Sequence, residues 1–370
     1  MKPNRSRRRL SIALSIVALL VAILGGEVIL RIVKPVQAVG VSHKPLIYER
    51  DEHIGYRYSA RAKGWMRRHI EMNNQVVINS DGFHDVERTD QDQSDLTRIV
   101  AIGDSFTASI HVPVPATWTQ IVEQELRQRV GPSFSVINRG LDGTGTDVHL
   151  SLLSSYLKTH TARAVILAFY ANDLRDVSRS RVYQEVYDEY VISYQSDSQR
   201  EQIVRHIREN RPWGLTGALY RGSYLFRALL NGVGKGSLLR SNVVKPKDVG
   251  LELISTLSEG QTKVRMTALL TEMASLSERR GIVLFVVPVP TREDPKGSYR
   301  VLRSVTTPDF LRRLNVIDVT PLIQQSLNES GLEYSQLFWN HDGHFNTAGN
   351  RLFGISVAMT LARDRTFLPE

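Results

Sequence analysis

The chain of 370 residues contains no cysteine. This absence excludes a fold held together by disulfides and a metal site built on thiolates. It leaves the redox compartment open, because proteins of the cell envelope can also lack thiols. No internal repeat is present, and 42% of the residues are apolar. The composition is therefore that of a globular protein with room for one large domain and additions.

Excess basic charge is scarce outside the amino terminus. The chain has 47 Lys and Arg residues against 38 Asp and Glu, but residues 1–35 hold seven of the former and one of the latter. The remainder carries 40 basic and 37 acidic residues, a net charge of +3. No basic stripe interleaved with aromatic residues occurs, so we expect no nucleic-acid partner. The sequence does not identify a protein partner.

The amino terminus has the pattern of a membrane anchor. Five basic residues precede an apolar run, Leu10–Leu24, which continues to Leu30. Such a run is about the 20 residues needed to span a bilayer, and the preceding basic residues place that end in the cytoplasm. We predict a cytoplasmic tail over 1–9 and an uncleaved signal anchor over 10–33 in the inner membrane, with the rest of the chain on its periplasmic side. A cleavable signal peptide ending at Ala38 is the alternative.

Beyond residue 97, apolar strands alternate with amphipathic helices. Residues 34–96 form a weakly periodic segment that we interpret as a small appendage, ending in a polar run, 85–95, predicted to be a surface linker. In the following domain, 97–365, the predicted strands are 98–102, 134–137, 164–170, 282–287 and 316–319. Alternation of this kind predicts an α/β fold with a parallel sheet covered by helices on both faces.

An insertion at about 176–262 interrupts the alternation. This interval is rich in Tyr, Arg and Ser and contains scattered glycines, so we predict helices and loops there. Its most apolar stretch, Leu219–Leu230, is interpreted as a helix buried on the core. An apolar lid or a membrane-facing helix is the alternative.

A candidate nucleophile directly follows the first predicted strand. The sequence runs from apolar residues straight into Gly103, Asp104 and Ser105. A serine at the carboxyl end of a parallel strand lies at the crevice where such sheets bind ligands. The alternative is a helix N-cap, since Asp and Ser are favoured there and Gly permits the turn.

Polar groups also follow the next two predicted strands. Gly143, after the second strand, can bring its backbone N–H close to a ligand oxygen, and Asn172, after the third, can present its side-chain amide. Together with the N–H of Ser105 they would form an oxyanion hole with three donors. The alternatives are a turn glycine and a helix cap formed by Asn172 and Asp173.

The last candidate pair lies just before the final predicted helix. Serine is a poor nucleophile until a base takes its proton, and histidine does so when a carboxylate fixes its tautomer. Asp342 and His344 supply such a pair within one loop. A zinc site of His341, Asp342 and His344 is the rival, but no second histidine cluster at metal-ligand spacing occurs, so we predict no metal and no other cofactor. Other histidines are predicted to be surface or capping residues: His111, His149 and His206.

Taken in order, these segments resemble the SGNH/GDSL hydrolase superfamily, whose name lists Ser, Gly, Asn and His. The match covers roughly 97–178 and 262–363, with Ser105, Gly143, Asn172 and His344 at the corresponding positions and two supporting residues beside them, Asp104 and Asp173. The resemblance implies a flavodoxin-like, three-layer α/β/α sandwich on a parallel sheet of about five strands. It also implies a serine esterase or acyltransferase that needs no metal.

The chain departs from most members of this superfamily in one spacing. They carry Asp-x-x-His, whereas this chain has Asp342-Gly343-His344, which resembles envelope polysaccharide O-acetylation proteins and leaves His341 as an alternative base. The segment Ile78–Asp85 also resembles the leader of anchored SGNH proteins of bacterial envelopes. The implied substrate is an O-acyl ester, foremost an O-acetyl ester, of an envelope glycan. The alternatives are an O-acetyltransferase, a lipid esterase and a glycan-binding assembly protein without activity.

Overall fold

Strands and helices alternate along most of the described chain, which comprises residues 5–33, 42–68, 71–88, 96–210, 214–233, 241–254, 257–364, 366 and 368 of a computed structural model. The strands are β1 (Ser42–His43), β2 (Tyr48–Asp51), β3 (Gly55–Tyr58), β4 (Lys63–Arg68), β5 (Met72–Val77), β6 (Thr97–Gly103), β7 (Phe134–Asn138), β8 (Ala164–Phe169), β9 (Tyr183–Tyr187), β10 (Tyr190–Tyr194), β11 (Val243–Val244) and β12 (Val283–Pro288). The helices are α1 (Arg5–Val33), α2 (Ser105–Ala108), α3 (Trp118–Arg129), α4 (Thr146–Tyr156), α5 (Asp173–Asp176), α6 (Asp197–Asn210), α7 (Gly214–Gly222), α8 (Tyr224–Val233), α9 (Glu259–Arg279), α10 (Gly297–Ser304), α11 (Pro308–Arg313), α12 (Thr320–Ser330) and α13 (Thr347–Leu361).

The central sheet is parallel and has the strand order β12-β8-β6-β7. In its middle, Ile99 of β6 pairs with Val136 of β7 and with Ala164 of β8. Every residue of β7 and β8 is buried. Strands covered on both faces read as continuous apolar runs, which is why the sequence located them.

The fifth predicted strand, 316–319, is reduced to a single bridge at the edge of the sheet. Val316 forms a parallel bridge with Val286 of β12, and the N–H of Ile317 donates to the carbonyl of Val286 at 2.9 Å. Asn315 just before it has a left-handed φ of 44°, and α12 begins at Thr320. The extended segment between these two points is too short for a ladder, so the sheet has four strands rather than about five.

Helices cover both faces of this sheet. One apolar cluster joins it to α3, α12 and α13, with Trp118 and Phe353 among its fully buried side chains. The opposite cluster joins it to α4, α9 and α10, with Leu153, Met266 and Leu302 completely buried. Burying one such side chain stabilises the fold by roughly 1.5–3 kcal/mol. The predicted three-layer α/β/α architecture is thereby confirmed.

The covering helices begin at capping residues that the sequence displays. The side chain of Thr117 accepts a hydrogen bond from the backbone of Gln120 at the start of α3. Ser258 and Gln261 form a reciprocal capping box at the start of α9. Each cap satisfies a backbone N–H that has no partner inside the helix, which fixes where the helix begins.

The described part of the appendage packs on the loops that follow β6 and β7. The hairpin of β2 and β3 and the antiparallel sheet β1-β4-β5 share an apolar cluster with Ile110 and Leu141 of those loops. The predicted surface linker at 85–95 is wrong at its start, because Asp85 is buried and accepts hydrogen bonds from Gln120 and the N–H of Asn138. Residues 89–95 lie outside the described residues.

The insertion contains a small sheet that the sequence did not predict. Strands β9, β10 and β11 form it, and its buried face packs on α6. The tight turn between β9 and β10 consists of Asp188 and Glu189, both at positive φ (52° and 71°). Two-residue hairpin turns are usually recognised in a sequence by Asn-Gly or Asp-Gly, so the Asp-Glu pair did not indicate a turn.

The most apolar part of the insertion does not pack on the core. Leu219 of α7 and Leu229 of α8 are 40% and 61% exposed. The interpretation of Leu219–Leu230 as a core helix is therefore wrong; the side chain of Leu230 lies outside the described residues. The neighbour of α8 is α1, whose segment Arg9–Ile32 is long and apolar enough to cross a membrane. Signal sequences share that property.

Candidate active site

The candidate nucleophile lies where the central strand β6 turns into α2. Ser105 is the first residue of α2, and Asp104 caps the helix by accepting a hydrogen bond from the N–H of Phe106 at 2.9 Å. Ser105 is 9% exposed. The position is therefore the start of a helix, as in the alternative interpretation of the sequence, and also the carboxyl end of the central parallel strand.

The structure brings Ser105, His344 and Asp342 together. The Nε2 atom of His344 lies 2.7 Å from the Oγ atom of Ser105. On the other side of the ring, Nδ1 is hydrogen-bonded to Oδ1 of Asp342. Burial opposes ionisation of Asp342, but the hydrogen bonds and the charge of His344 hold the pKa of this carboxyl well below its usual range. An ionised carboxylate, an imidazole and a hydroxyl thus form one chain of contacts over 239 residues of sequence separation.

The two other predicted donors lie in the loops that follow β7 and β8. Gly143 has a φ of +74°, a backbone conformation that favours glycine. It lines a cavity of about 500 Å³ beside Tyr56, whose lining does not include Ser105 or His344. The amide of Asn172 lies close to the carboxylate of Asp104, next to the nucleophile, and favours the charged form of that carboxyl. An amide nitrogen carries two N–H groups, so it can donate to a ligand as well. The oxyanion hole itself stays a prediction.

No protein-family model and no curated protein matches the chain. Among solved structures, it is similar to a lipolytic protein of the G-D-S-L family from Desulfitobacterium hafniense DCB-2, with 12% identity, 71% of this chain and 98% of that chain covered, and a TM-score of 0.38. It is also similar to a G-D-S-L family protein from Veillonella parvula DSM 2008, with 14% identity, 72% of this chain and 99% of that chain covered, and a TM-score of 0.38. A third similar structure is the lipase/acylhydrolase from Enterococcus faecalis, with 16% identity, 72% and 96% of the two chains covered, and a TM-score of 0.37. At these identities the chemistry has to be argued from the residues of this chain.

The short spacing of Asp342 and His344 is accommodated by a turn within the loop. Oδ1 of Asp342 accepts a hydrogen bond from the backbone N–H of His344 at 2.9 Å as well as contacting Nδ1 of the same residue. This local turn lets a carboxylate two residues away reach the ring. The rival base His341 is 57% exposed in its side chain, and its Nδ1 lies 3.3 Å from Glu71 instead.

Two residues of the appendage hold this loop, and neither stands in a recognisable sequence motif. Arg68 of β4 forms an ion pair with Oδ2 of Asp342, the oxygen that His344 leaves unused. The carboxylate of Glu71 accepts the N–H groups of Asn340 and His341 at 2.9 and 2.7 Å. A basic residue on a short strand more than 270 positions away has no local pattern to mark it.

A further histidine of the site was misassigned. His111 is 5% exposed, and its ring stacks on that of His344 with 3.9 Å between ring centroids. Burial and the neighbouring His344 lower its pKa to about 3. The ring therefore stays neutral and fixes the plane of His344 through packing. The prediction that His111 is a surface or capping residue is wrong, and the same holds for His149, which is completely buried.

Buried neutral histidines predict that the protein loses stability on mild acidification. Burial lowers the pKa of His84 to about 4 and that of His111 and His149 to about 3. Unfolded histidine binds a proton below about pH 6.5, whereas these folded ones do not, so stability falls as the pH drops from there toward the folded values. Each contributes a loss of about 2 kcal/mol at about pH 5. Urea unfolding of the full chain in detergent at about pH 7.5 and about pH 5 measures the sum.

Single replacements separate this effect from general charge repulsion. His149→Asn should reduce the difference in unfolding free energy between the two pH values by about one histidine's share. The exposed His53 provides the matched control, and His53→Asn should leave the difference unchanged. An equal response of both variants would contradict the assignment of the acid sensitivity to burial.

The two supporting carboxyls, Asp104 and Asp173, lie in the same buried layer. Burial raises the pKa of Asp104 to about 6, and burial together with the nearby charge of Asp104 raises the pKa of Asp173 well above its usual range. Two negative charges this close together repel each other, so one of the two carboxyls keeps its proton. Asp173, which has the higher pKa, holds it. Oδ2 of Asp173 accepts the N–H of Tyr170 at 3.3 Å, which ties it to the end of β8.

One group of side chains in the described residues has the donor atoms for a cation. Atoms of His111, Asp342 and His344 lie within 4.8 Å of one another, so the set differs from the zinc set weighed from the sequence. Both ring nitrogens of His344 and both oxygens of Asp342 already have hydrogen-bond partners, and one of those partners is the cation Arg68. A metal would have to displace these contacts, and metal independence stays our prediction.

Proposed function

We propose that the chain is a serine carboxylic ester hydrolase in which Ser105 is the nucleophile. The observation that carries the proposal is the 2.7 Å contact between Ser105 Oγ and His344 Nε2, with Asp342 on the other ring nitrogen. A serine is activated only when a base stands within hydrogen-bond reach and is itself oriented by a third group. The arrangement of these three side chains meets both conditions before any substrate is bound.

The proposed reaction proceeds through an acyl-enzyme. Ser105 Oγ attacks the ester carbonyl carbon while its proton passes to Nε2 of His344, and Asp342 stabilises the resulting imidazolium. The carbonyl oxygen becomes an oxyanion, held by the N–H groups of Ser105 and Gly143 and by the amide of Asn172. The tetrahedral intermediate collapses, and the alkoxide leaves with the proton from His344. Water then repeats the sequence and releases the acid and the free serine.

The proposed substrate is an O-acyl ester, foremost an O-acetyl ester, of an envelope glycan. It is supported by the resemblance of the Asp342-Gly343-His344 spacing to polysaccharide O-acetylation proteins and by an amino terminus typical of export. We place the chain in the inner membrane through α1, with the domain on the periplasmic side. A sugar hydroxyl in place of water would make the same triad an O-acetyltransferase.

Covalent labelling tests the nucleophile directly. A p-nitrophenyl alkylphosphonate should react once with the full-length chain in detergent, because Ser105 Oγ bonds to phosphorus, p-nitrophenolate leaves and the serine proton passes to His344. Peptide mass spectrometry should find the adduct on Ser105, and one equivalent of p-nitrophenolate should be released. Labelling elsewhere, or none together with no turnover of p-nitrophenyl acetate, would support the binding-protein alternative.

Hydrolase and transferase are distinguished by the acceptor. With p-nitrophenyl acetate as the donor, an acetylated glycan oligomer appears in addition to acetate only if a sugar hydroxyl competes with water for the acyl-enzyme. The same measurement with Ser105→Ala reports the background transfer. Acetate as the sole product, at saturating acceptor, would assign the protein as a hydrolase.

A further inference from the structure

The apolar span α1 contains an acidic residue whose partner lies in the insertion. The carboxylate of Glu27 accepts hydrogen bonds from the N–H groups of Tyr224 and Leu225, at 2.9 and 3.0 Å, and from the hydroxyl of Ser223 at 2.8 Å. It also pairs with Arg31 one turn along α1. A carboxylate within a membrane span is costly unless it is paired, so these contacts give Glu27 a structural reason to be there.

Apolar packing accompanies these polar contacts. Gly26 of α1 faces the side chain of Leu225, and a Cβ at position 26 would lie in ordinary van der Waals contact with it. Arg31 donates to the carbonyl of Gly222 at 2.9 Å and lies over the ring of Tyr224. The end of α7 and the start of α8 are therefore docked on α1 through packing as well as polar contacts.

The docking point has a definite depth along α1. Gly26 lies seven residues before the end of the helix at Val33, which at 1.5 Å per residue is about 10 Å. An amphipathic helix that lies in the membrane interface is buried about 5–10 Å below its surface. If α1 crosses the bilayer and ends at its surface, the start of α8 lies at this interfacial depth.

Helices α7 and α8 also present apolar side chains to their surroundings. Leu215 and Leu219 of α7 and Leu229 of α8 are 77%, 40% and 61% exposed. Exposed leucines scattered over a soluble domain need no explanation, but these lie on two short helices that are docked on an apolar span. Continuity with α1 identifies lipid as the material that covers them.

We propose that α7 and α8 form a second membrane contact, a helical hairpin whose leucines lie in the lipid interface beside α1. This inference rests on the proposed membrane anchor but not on the proposed ester hydrolysis. Two contacts with the bilayer restrict rotation of the catalytic domain about its anchor. The site is then held at a fixed orientation to the membrane surface, where an envelope glycan or a lipid-linked donor would be met.

The absence of native cysteine allows a clean test. Single cysteines are introduced at Leu215, Leu229, Leu20 and Val264, labelled with bimane, and the full-length variants are reconstituted into phosphatidylglycerol and phosphatidylethanolamine vesicles. Lipids with a nitroxide high on the acyl chain quench labels in the interface. Leu20 reports the span, and Val264 is the matched control, an apolar side chain of α9 that is 71% exposed.

The expected result is loss of fluorescence at Leu215→Cys and Leu229→Cys at least as large as that at Leu20→Cys, because the quencher lies high on the acyl chain. Little loss is expected at Val264→Cys. Leu20→Cys could be quenched while Leu229→Cys is quenched no more than Val264→Cys. That result would overturn the membrane contact of α7 and α8 but not the anchor α1. Absence of quenching at all four positions would overturn the anchor and the hairpin together, while ester hydrolysis is measured separately in the same vesicles.

The role of Glu27 is tested in the same assay. Glu27→Leu removes the acceptors for the start of α8 but keeps the span apolar, so quenching at Leu229→Cys should fall while that at Leu20→Cys is retained. Unchanged quenching at Leu229→Cys would show that Glu27 does not hold the hairpin in place.

Discussion

Replacing Ser105 with alanine is expected to lower kcat for p-nitrophenyl acetate by roughly 10⁴-fold or more. The hydroxyl is the only group of the site that forms a bond to the substrate carbon in the proposed reaction. Without it, the donors of the oxyanion hole can still bind the ester but no acyl-enzyme forms. Steady-state kinetics of the full-length variant in detergent, corrected for spontaneous hydrolysis, measure the effect.

A matched serine separates loss of the nucleophile from loss of the fold. Ser330 lies at the exposed end of α12, where its hydroxyl donates to the carbonyl of Ser326, and Ser330→Ala should retain wild-type kcat. Ser105→Ala should unfold in urea like the wild type, since only one oxygen is removed. If Ser105→Ala retained a tenth of the wild-type kcat while folded, the esterase proposal would have to be abandoned.

The two members of the proposed proton relay should not act independently. His344→Ala removes the base, and a serine that keeps its proton is a poor nucleophile. The double variant of Ser105 and His344 should therefore be no slower than either single variant, because each alone already removes the same step. Additive losses would mean that the two residues serve different steps.

The sequence located the central sheet and the candidate nucleophile because both follow from local rules. The strands around Ile99, Val136 and Ile166 are buried on both faces, so their apolar runs are unbroken. Parallel strands place their carboxyl ends at one edge, which is why residues after three different strands could be predicted to converge. The contact of Ser105 with His344 does not follow from this rule, because His344 lies in the loop before α13 and follows no strand of the central sheet.

Residues that act through long-range packing left no trace of this kind. Arg68 contacts the site because the appendage folds over the loops after β6 and β7. His111, in the loop after α2, contacts it by stacking on the distant residue His344. Neither position carries a motif. The hairpin at Asp188 and Glu189 was missed because its turn lacks the glycine that marks most two-residue hairpin loops. A sequence pattern reports a residue's neighbours along the chain, whereas these contacts depend on which surfaces the folded elements share.

Replacing Asp342 with asparagine is expected to lower kcat by up to about 10⁴-fold with little change in KM. Asparagine has nearly the same shape, and its oxygen can still accept the N–H of His344. Its amide nitrogen, however, would face Arg68 or Nδ1 of His344 as a donor, so the ring would no longer be held with its proton on Nδ1 and its Nε2 toward Ser105. The imidazolium formed during attack would also lose its counter-charge.

The control for this change is a surface carboxylate of the same type. Asp81 is half exposed and pairs with Arg139, and Asp81→Asn should leave kcat unchanged. Arg68→Met should lower kcat less than Asp342→Asn does, because Arg68 only positions the carboxylate. It should also shift the pH profile of kcat/KM, since it removes a positive charge beside the Asp342–His344 pair. If Asp342→Asn kept kcat within about tenfold of wild type, Asp342 would not orient the base. The short spacing of Asp342 and His344 would then have to be explained by the contacts of this loop with Glu71 and Arg68.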